Sequence, residues 1–370
     1  MSKKIVFFQI GPGIGPITKN NFRFAEQLVK SGCEVILLGS DIDQALYGVM
    51  PDFIRPYSLE SPSLIRSIPR LIRFMREERP DVVLASGPPT HILSAIGKVC
   101  AASRCRLVFR IHSQTTLWLK ERSRWKAAVM LCGMSAARFF AYMLVSPSRG
   151  SADDWADLLH IRRDKVTIML NPAVGDDVLE VATVSDEAVV HPFLDSARSV
   201  PTAIIVARLC HQKNVDVAIR AVARINTKLR LNLLILGDGP ERRDLELLVD
   251  ELGAKAFVCF VGWVPNPHAF VAKADVSLLT SRYEGFANVV AESLAVGTPV
   301  VSTDAPSGPA EILGFGEFGY LAPVGDVEAV SDQLIRALTD SIDRPKLKKR
   351  GLRYHVDNVV QENRKVFGLE

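Results

Sequence analysis

The run Ser281-Arg-Tyr-Glu-Gly-Phe-Ala-Asn-Val-Val-Ala-Glu292 holds more potential chemistry than any other part of this 370-residue chain. Glu284 follows an apolar strand, Asp275-Val-Ser-Leu-Leu-Thr280; a Gly-containing loop comes next, and Glu292 lies inside a new helix. Gly285 lets the backbone turn sharply there. From Asn288 the apolar spacing becomes helical, with Val289, Val290, Ser293 and Leu294 on one face, and Gly297-Thr298-Pro299 stops it. The start of such a helix offers free N–H groups and a positive dipole end, which suits a phosphate. Two carboxylates also invite comparison with a glycosidase pair. Eight positions apart on a helix they would stand about 12 Å from each other, beyond the roughly 5 to 9.5 Å that such a pair needs. They are therefore expected to serve different ends of one ligand.

Cations come next. Arg208 and Lys213 end the strand Thr202–Val206 and enter the following loop. A helix terminus favours an anion by only about 0.3 to 2 kcal/mol. Fixed Arg and Lys charges in a water-poor cleft do more, and Arg can grip phosphate oxygens bidentately. With both present, a bound phosphate group needs no divalent metal. The one Asp-x-Asp string, Asp41-Ile-Asp43, lies far from these residues and reads as a solvated loop.

Gly11-Pro-Gly-Ile-Gly15 follows the first strand and resembles a dinucleotide fingerprint, but Pro16 stands where its third Gly belongs. That argues against a nicotinamide cofactor. Gly13 and Gly15 remain candidates for close approach to a phosphate or sugar. His112 follows the strand Leu107-Val-Phe-Arg-Ile111; a structural His bonded to backbone is the alternative to a ligand-facing one. Arg110 is expected to point into the fold.

The elements that must position these residues alternate strand and helix, as in doubly wound sheets. Strands are expected at Ile5–Ile10, Glu34–Leu38, Asp81–Ala85, Leu107–Arg110 and Val166–Leu170, with a helix from about Asn20 to Lys30. A second series runs through Thr202–Val206, Leu231–Leu236, Phe257–Phe260, Val276–Leu279 and Val300–Ser302. The expected architecture is α/β, two Rossmann-like domains facing a cleft. Residues 1–178 form the first, 179–199 a connector, 200–350 the second, and 351–370 a helix returning to the first. In open α/β sheets, ligands sit outside the carboxyl ends of the strands, where all the candidate residues fall.

A chain of this length exceeds what one core usually supports. Six Cys show neither zinc spacing nor a disulfide framework, so reduced thiols are expected. The opening residues do not read as a secretory signal. The longest apolar window, Ala127 to Val145, contains Arg138 and reads as a buried helix rather than a membrane span. The net charge of +4 is uneven: residues 1–175 hold 24 Lys/Arg against 14 Asp/Glu, and the rest 21 against 27. Much of that excess lies in Leu64–Arg76, one cationic and one apolar face, and in Trp118–Lys126, which mixes aromatics with cations. Both suit contact with an anionic lipid surface, against the alternative of an ordinary amphipathic helix with solvated Arg. No nucleic-acid motif accompanies the charge.

Glu284-Gly-Phe-Ala-Asn-Val-Val-Ala-Glu292 resembles the paired-Glu motif of family-4 retaining glycosyltransferases of the GT-B fold. The likeness extends to Val206-Ala-Arg-Leu209 with Lys213-Asn214, Leu236-Gly-Asp-Gly-Pro240, Phe260-Val-Gly-Trp-Val264, Gly297–Asp304, Pro306-Ser-Gly-Pro309 and Glu311. The resemblance implies transfer of a hexose or N-acetylhexosamine from a nucleotide sugar, a UDP-sugar first, with retention and without metal. It implies that Glu292 holds the ribose and that Glu284 lies near the transferred sugar. The N–H groups of Phe286, Ala287, Asn288 and Val289 would surround sugar and diphosphate. Arg208 and Lys213 would neutralise the leaving group, Gly262, Trp263 and Val264 would lie beside the base, and His112 would face the sugar. A glycan or polyprenol-linked acceptor in lipopolysaccharide or cell-surface polysaccharide synthesis is implied, as is a cytoplasmic protein at the inner face of the membrane. The alternatives are a nucleotide-sugar epimerase, a nicotinamide-dependent oxidoreductase and a non-catalytic carbohydrate-binding protein.

Overall fold

A computed structural model describes residues 2–10, 15–40, 42, 44–61, 63, 65–181 and 191–369. The chain forms two compact units, Met1–Pro172 with Val356–Glu370, and Ala173–His355. Asp41 and Asp43 lie outside the described residues.

The first unit is built on seven strands: β1 (Lys4–Gln9), β2 (Glu34–Gly39), β3 (Ile54–Ser58), β4 (Val82–Ser86), β5 (Arg106–Arg110), β6 (Met143–Ser146) and β7 (Val166–Ile168). Their order is β3-β2-β1-β4-β5-β6-β7, and every adjacent pair is parallel. The inner strands β1, β2, β4 and β5 carry unbroken apolar runs, as expected where helices cover both faces. Phe8, Ile36, Leu84 and Phe109 are fully or almost fully buried. The last residues of the chain complete one of the two core layers: the Phe367 ring lies 6.3 Å from Phe7 and 5.5 Å from Phe24.

The second unit carries β8 (Thr202–Val206), β9 (Asn232–Leu236), β10 (Val258–Gly262), β11 (Val276–Leu279), β12 (Val300–Thr303) and β13 (Tyr320–Ala322). Their order is β10-β9-β8-β11-β12-β13, again parallel. Both sheets reverse strand order beside their first strand, the arrangement that opens a crevice at the carboxyl ends.

Several elements depart from the expectations above. The first helix spans Pro16–Lys30 and begins four residues earlier than Asn20. Pro16 takes an initial position where its missing N–H costs nothing, so the residue that spoils the glycine pattern starts the helix. The edge strands β3 and β13 have no counterpart in the sequence reading. Part of the expected connector is helical, Asp176–Val181, and packs on the helix Asn288–Val296 within the second unit.

The two basic segments behave differently. The helix Ile68–Glu78 buries Leu71, Phe74 and Met75 in the core. Among its cations, Arg70 donates to the carbonyls of Leu59 and Glu60, and Arg76 to that of Cys100. Its apolar side thus packs on the core, while Arg66 and Arg73 stay exposed. The window Ala127–Val145 is not a buried helix. It divides into the helix Arg124–Ala137, a short turn at Arg138–Phe140 and β6. Within the helix only Met134 and Ala137 are fully buried, because it packs by one side on the helix Pro88–Cys100. There a Cβ at Gly133 would meet Ile92 Cδ1 at 2.4 Å. Among the described residues no helix is long and apolar enough to cross a membrane.

Candidate active site

In the second unit the loops that leave the strands at their carboxyl ends are stitched together by backbone. After β8, the Ala207 and Leu209 N–H groups donate to Leu236 O (3.0 Å) and Asp238 O (2.9 Å), and Gly237 N–H donates to Gly262 O (2.7 Å). These contacts demand glycine. A Cβ at Gly237, which has φ +128°, would stand 1.9 Å from Ala207 O, and one at Gly239 would stand 2.2 Å from Leu209 O. Leu236-Gly-Asp-Gly-Pro240 therefore holds the backbone of Arg208 from behind. The Arg208 side chain is exposed and has no hydrogen-bond or ion-pair partner among the described residues.

Glu284 is the most enclosed carboxylate of the group, its side chain 7 % exposed. Its Oε1 accepts from Ser281 Oγ (2.6 Å) and from Lys213 Nζ (2.6 Å). Lys213 reaches it from a single turn, His211–Lys213, followed by Asn214 in the left-handed region. That turn is held by Gln212 Nε2 donating to Tyr283 O (2.9 Å), Arg282 N–H to Gln212 O (2.8 Å) and Thr280 Oγ1 to Lys213 O (3.2 Å). Removing either partner from so enclosed an ion pair leaves the other charge uncompensated, which is far costlier than losing a surface bridge.

The span between the two glutamates is not helical throughout. Only Asn288–Val296 is helix, and Ala287 before it is left-handed at φ +72°. That departure is unusual for a residue with a side chain. It is braced from the next loop. Ser307 is also left-handed, at φ +71°, and a Cβ at Gly308 would stand 2.3 Å from Phe286 O. Glu284 N–H donates to Pro306 O (3.1 Å). Phe286 and Ala287 are buried, while Asn288 and Val289 are half-exposed on the first turn. Glu292 lies one turn further, its side chain 18 % exposed, with His268 Nδ1 at 4.0 Å from Oε2. His268, buried at the start of a helix of its own, escaped the sequence reading; Pro267 immediately before it was the available signal. Gly262 is left-handed at φ +88°, Val264 is half-buried, and Trp263 stands 75 % exposed.

Of the candidates, Arg208, Lys213, Glu284, the segment 286–289, Glu292 and the segment 262–264 all belong to this one unit. Gly15 and His112 belong to the first unit, and Gly13 lies outside the described residues. Gly15 precedes the first helix in extended conformation and accepts from Lys19 N–H at 3.0 Å. His112 follows β5, and its Nε2 is buried without a partner among the described residues. Burial above all, then the charges of Arg110 and His91, hold its pKa well below the usual imidazole range, so the ring is neutral. Arg110 does point into the fold. It is fully buried and bonded through Nη2 to Asn171 Oδ1 at 2.6 Å; Nε and Nη1 have no partner among the described residues, and burial lowers its pKa to about 9. His91 Nε2 lies 3.2 Å from Ala85 O and 3.1 Å from Arg110 O, and its ring stacks on Phe109. Burial lowers its pKa to about 4.

Two Rossmann-like units of parallel sheet and helix make this an α/β protein of the GT-B class, and comparison with known proteins agrees. Residues 21–173 match the family described as Glycosyltransferase Family 4, and residues 191–353 the family described as Glycosyl transferases group 1. The chain belongs to the group 1 and family 4 glycosyltransferases. It is 35 % identical over 158 residues to the lipopolysaccharide core biosynthesis glycosyltransferase LpsE of Rhizobium meliloti, covering 43 % of this chain and 45 % of that one. It is 31 % identical over 213 residues to a Campylobacter jejuni N-acetylgalactosaminyltransferase named for a diphospho-undecaprenol-linked acceptor, covering 56 % and 53 %. The chain thus spans about half the length of these relatives. Its fold is shared with Anabaena HepE, solved in complex with UDP, at a TM-score of 0.78, 17 % identity and coverage of 98 % and 99 %.

Proposed function

We propose that this protein is a retaining, metal-independent hexosyltransferase. It moves a hexose or N-acetylhexosamine from a nucleotide sugar, foremost a UDP-sugar, to a glycan or polyprenol-linked acceptor in lipopolysaccharide or cell-surface polysaccharide synthesis. The observation that carries the reading is Glu284, clamped between Ser281 and Lys213 beside the first amides of the helix Asn288–Val296. A carboxylate acceptor for sugar hydroxyls thus stands next to N–H donors and a cation suited to phosphate. The relatives named for lipopolysaccharide core and undecaprenol-linked acceptors support the acceptor class, and the UDP complex of HepE supports the nucleotide.

In this reading Glu292 accepts from the ribose hydroxyls, and Gly262, Trp263 and Val264 flank the base. Arg208 and Lys213 take up the charge that grows on the diphosphate as the anomeric C–O bond breaks, so no metal is required. The new glycosidic bond forms on the same face, and the acceptor hydroxyl's proton passes to the departing phosphate oxygen. No covalent nucleophile on the protein is involved. His112, neutral and with Nε2 unpaired, bonds a hydroxyl of the sugar in transit. The protein works at the inner face of the cell membrane. None of the comparisons supports an epimerase or an oxidoreductase.

The test is a donor screen that follows release of nucleoside diphosphate, with membrane lipid extract as acceptor. Turnover of at least one nucleotide sugar is expected, with the anomeric configuration kept in the product and no loss on adding EDTA. An inverted product, or near-normal turnover by both Arg208→Ala and Lys213→Ala, would overturn the mechanism.

A further inference from the structure

The amino ends of the first sheet divide into a side where charges are matched and a side where they are not. Around β1, β2 and β3, Lys4 and Arg55 share Glu34 and Glu78: Lys4 Nζ lies 2.7 Å from Glu78 Oε2, and Arg55 Nη2 3.0 Å from Glu34 Oε1. Before β4 and β5 the surface sinks into a hollow of about 720 Å³, lined by Lys3, Arg76, Arg79, Arg104 and Arg106 against the single carboxylate of Asp81. The hollow belongs wholly to the first unit. None of its five cations forms an ion pair among the described residues, and Asp81 Oδ2 already accepts from Lys4 N–H at 2.8 Å.

Part of this surplus has a structural use. The helices Ile68–Glu78 and Pro88–Cys100 both end here, and each C terminus carries about half a negative charge. Arg76 donates to Cys100 O at 2.8 Å, and Lys3 Nζ to Gly368 O. Arg106 lies over the ring of Tyr142, 4.9 Å from Cζ to the centroid. Arg79 and Arg104 have no such use: both are exposed, and neither has a hydrogen-bond or ion-pair partner among the described residues. Arg79 stands just past its helix in the left-handed region, at φ +46°, where glycine is the usual choice. Lys3 and Arg106 bring like charges close together, since a Cβ at Gly368 would stand 2.9 Å from Arg106 Nη1 and 3.1 Å from Lys3 Nζ. With Asp81 and the two helix ends set against the five cations, about three positive charges remain around one concavity.

The floor selects the kind of anion. Met75, Val82 and Cys105 line the hollow beneath the cations and are buried; a thiol of this kind behaves as a small apolar group. A hollow of this volume takes a small organic molecule, whereas inorganic phosphate would leave the apolar floor uncovered. Guanidinium groups gathered at a concavity can hold several phosphate oxygens at once.

We propose that this hollow binds a nucleoside triphosphate, with the polyphosphate on Arg79, Arg104 and Arg106 and the base against the floor. The hollow and His112 lie at opposite ends of β5, roughly 16 Å apart along a five-residue strand. It shares no residue with the donor site proposed above, and the proposal does not rest on that site.

Calorimetric titration of the full chain with magnesium-free ATP tests it. One ATP per chain is expected to bind here, more tightly than inorganic tripolyphosphate and less tightly in high salt. Arg208→Ala, which removes a cation of the candidate active site, is expected to keep this binding. Arg79→Gln/Arg104→Gln weakens it about 10- to 100-fold with an unchanged thermal midpoint in the absence of ATP, and Arg104→Glu weakens it alone. The control Arg66→Gln/Arg73→Gln, altered at exposed cations of the same unit, leaves it unchanged. Full binding by Arg79→Gln/Arg104→Gln overturns the proposal, as does an equal loss in the control. Loss confined to Arg208→Ala overturns it too, because the nucleotide would then belong to the candidate active site. Tripolyphosphate bound as tightly as ATP removes the role of the floor and with it the nucleotide. Capture on phosphatidylglycerol vesicles through Arg79 and Arg104, without ATP binding, also overturns it. Nucleoside diphosphate release from a sugar donor separates the two readings. ATP binding without any donor turnover sinks the transferase reading and leaves the hollow standing; turnover without ATP binding does the reverse.

Discussion

The carboxyl ends of the two sheets are finished by opposite means. In the second unit the backbone does the work: Gly237, Gly239 and Gly308 admit contacts that no side chain permits, and Ala287, Ser307 and Asn214 hold left-handed angles. Glu284, Lys213 and the loop backbone there have partners within the unit, although the side chains of Arg208 and Asn214 have none among the described residues. In the first unit the strand ends are finished with buried side chains some of whose polar atoms lack partners among the described residues, namely Arg110 Nε and Nη1, His112 Nε2 and His91 Nδ1. Each such orphan costs about 1–3 kcal/mol. A surface set in rigid backbone suits a ligand of fixed geometry, such as a nucleotide diphosphate. A surface that keeps unmet hydrogen bonds is completed only when a ligand supplies them.

The largest expected effect breaks chemistry without touching fold. Because Arg208 is exposed and unpartnered, Arg208→Ala should lower donor turnover about 10²- to 10³-fold with an unchanged thermal midpoint. A drop in the midpoint would mean that the residue supports the loop rather than the ligand. Gly237→Ala attacks the backbone of the second unit directly. Its Cβ would collide with Ala207 O, and a loss of about 2–4 kcal/mol by denaturant titration is expected. A tolerated substitution would erase the contrast between the two units.

The first unit is tested by pH. Folded His91 resists protonation down to about pH 4, whereas the unfolded chain takes the proton near 6.5. Between those values the unfolded state binds more protons, so stability should fall as pH drops from about 7 toward 4, by about 3 kcal/mol in all. His112, also lowered, adds in the same direction. His91→Leu should flatten its share of that slope, read from thermal midpoints across the range. The smallest effect carries the sharpest sign. His112→Leu removes a buried orphan nitrogen, so stability should hold or rise by up to about 1 kcal/mol while transfer falls. Loss of both together would assign His112 to the fold.

The second unit was the more legible because glycines and helical period mark its backbone in the chain itself. The strands Thr202–Val206 and Val276–Leu279 have the bounds expected from their apolar runs. The clamp on Glu284 was not legible, since Lys213 stands 71 residues away and only the paired loops bring it back. β3 and β13 escaped notice because edge strands tolerate what central ones reject: Pro56 sits within β3, and β13 has three residues. The exposed side of the helix Arg124–Ala137 was hidden for another reason. Apolar content says how much surface wants cover but not whether a neighbour supplies it, and here Gly133 lets one side of the helix take all the available partner.

Phe367 has a consequence for how the molecule is made. It packs between Phe7 and Phe24, with Val359 and Val366 beside it in the same layer, yet the ribosome delivers it after all of residues 173–355. The first 172 residues therefore cannot complete that layer until residues 356–370 have left the ribosome, so synthesis of the whole second unit intervenes between the two parts of one core.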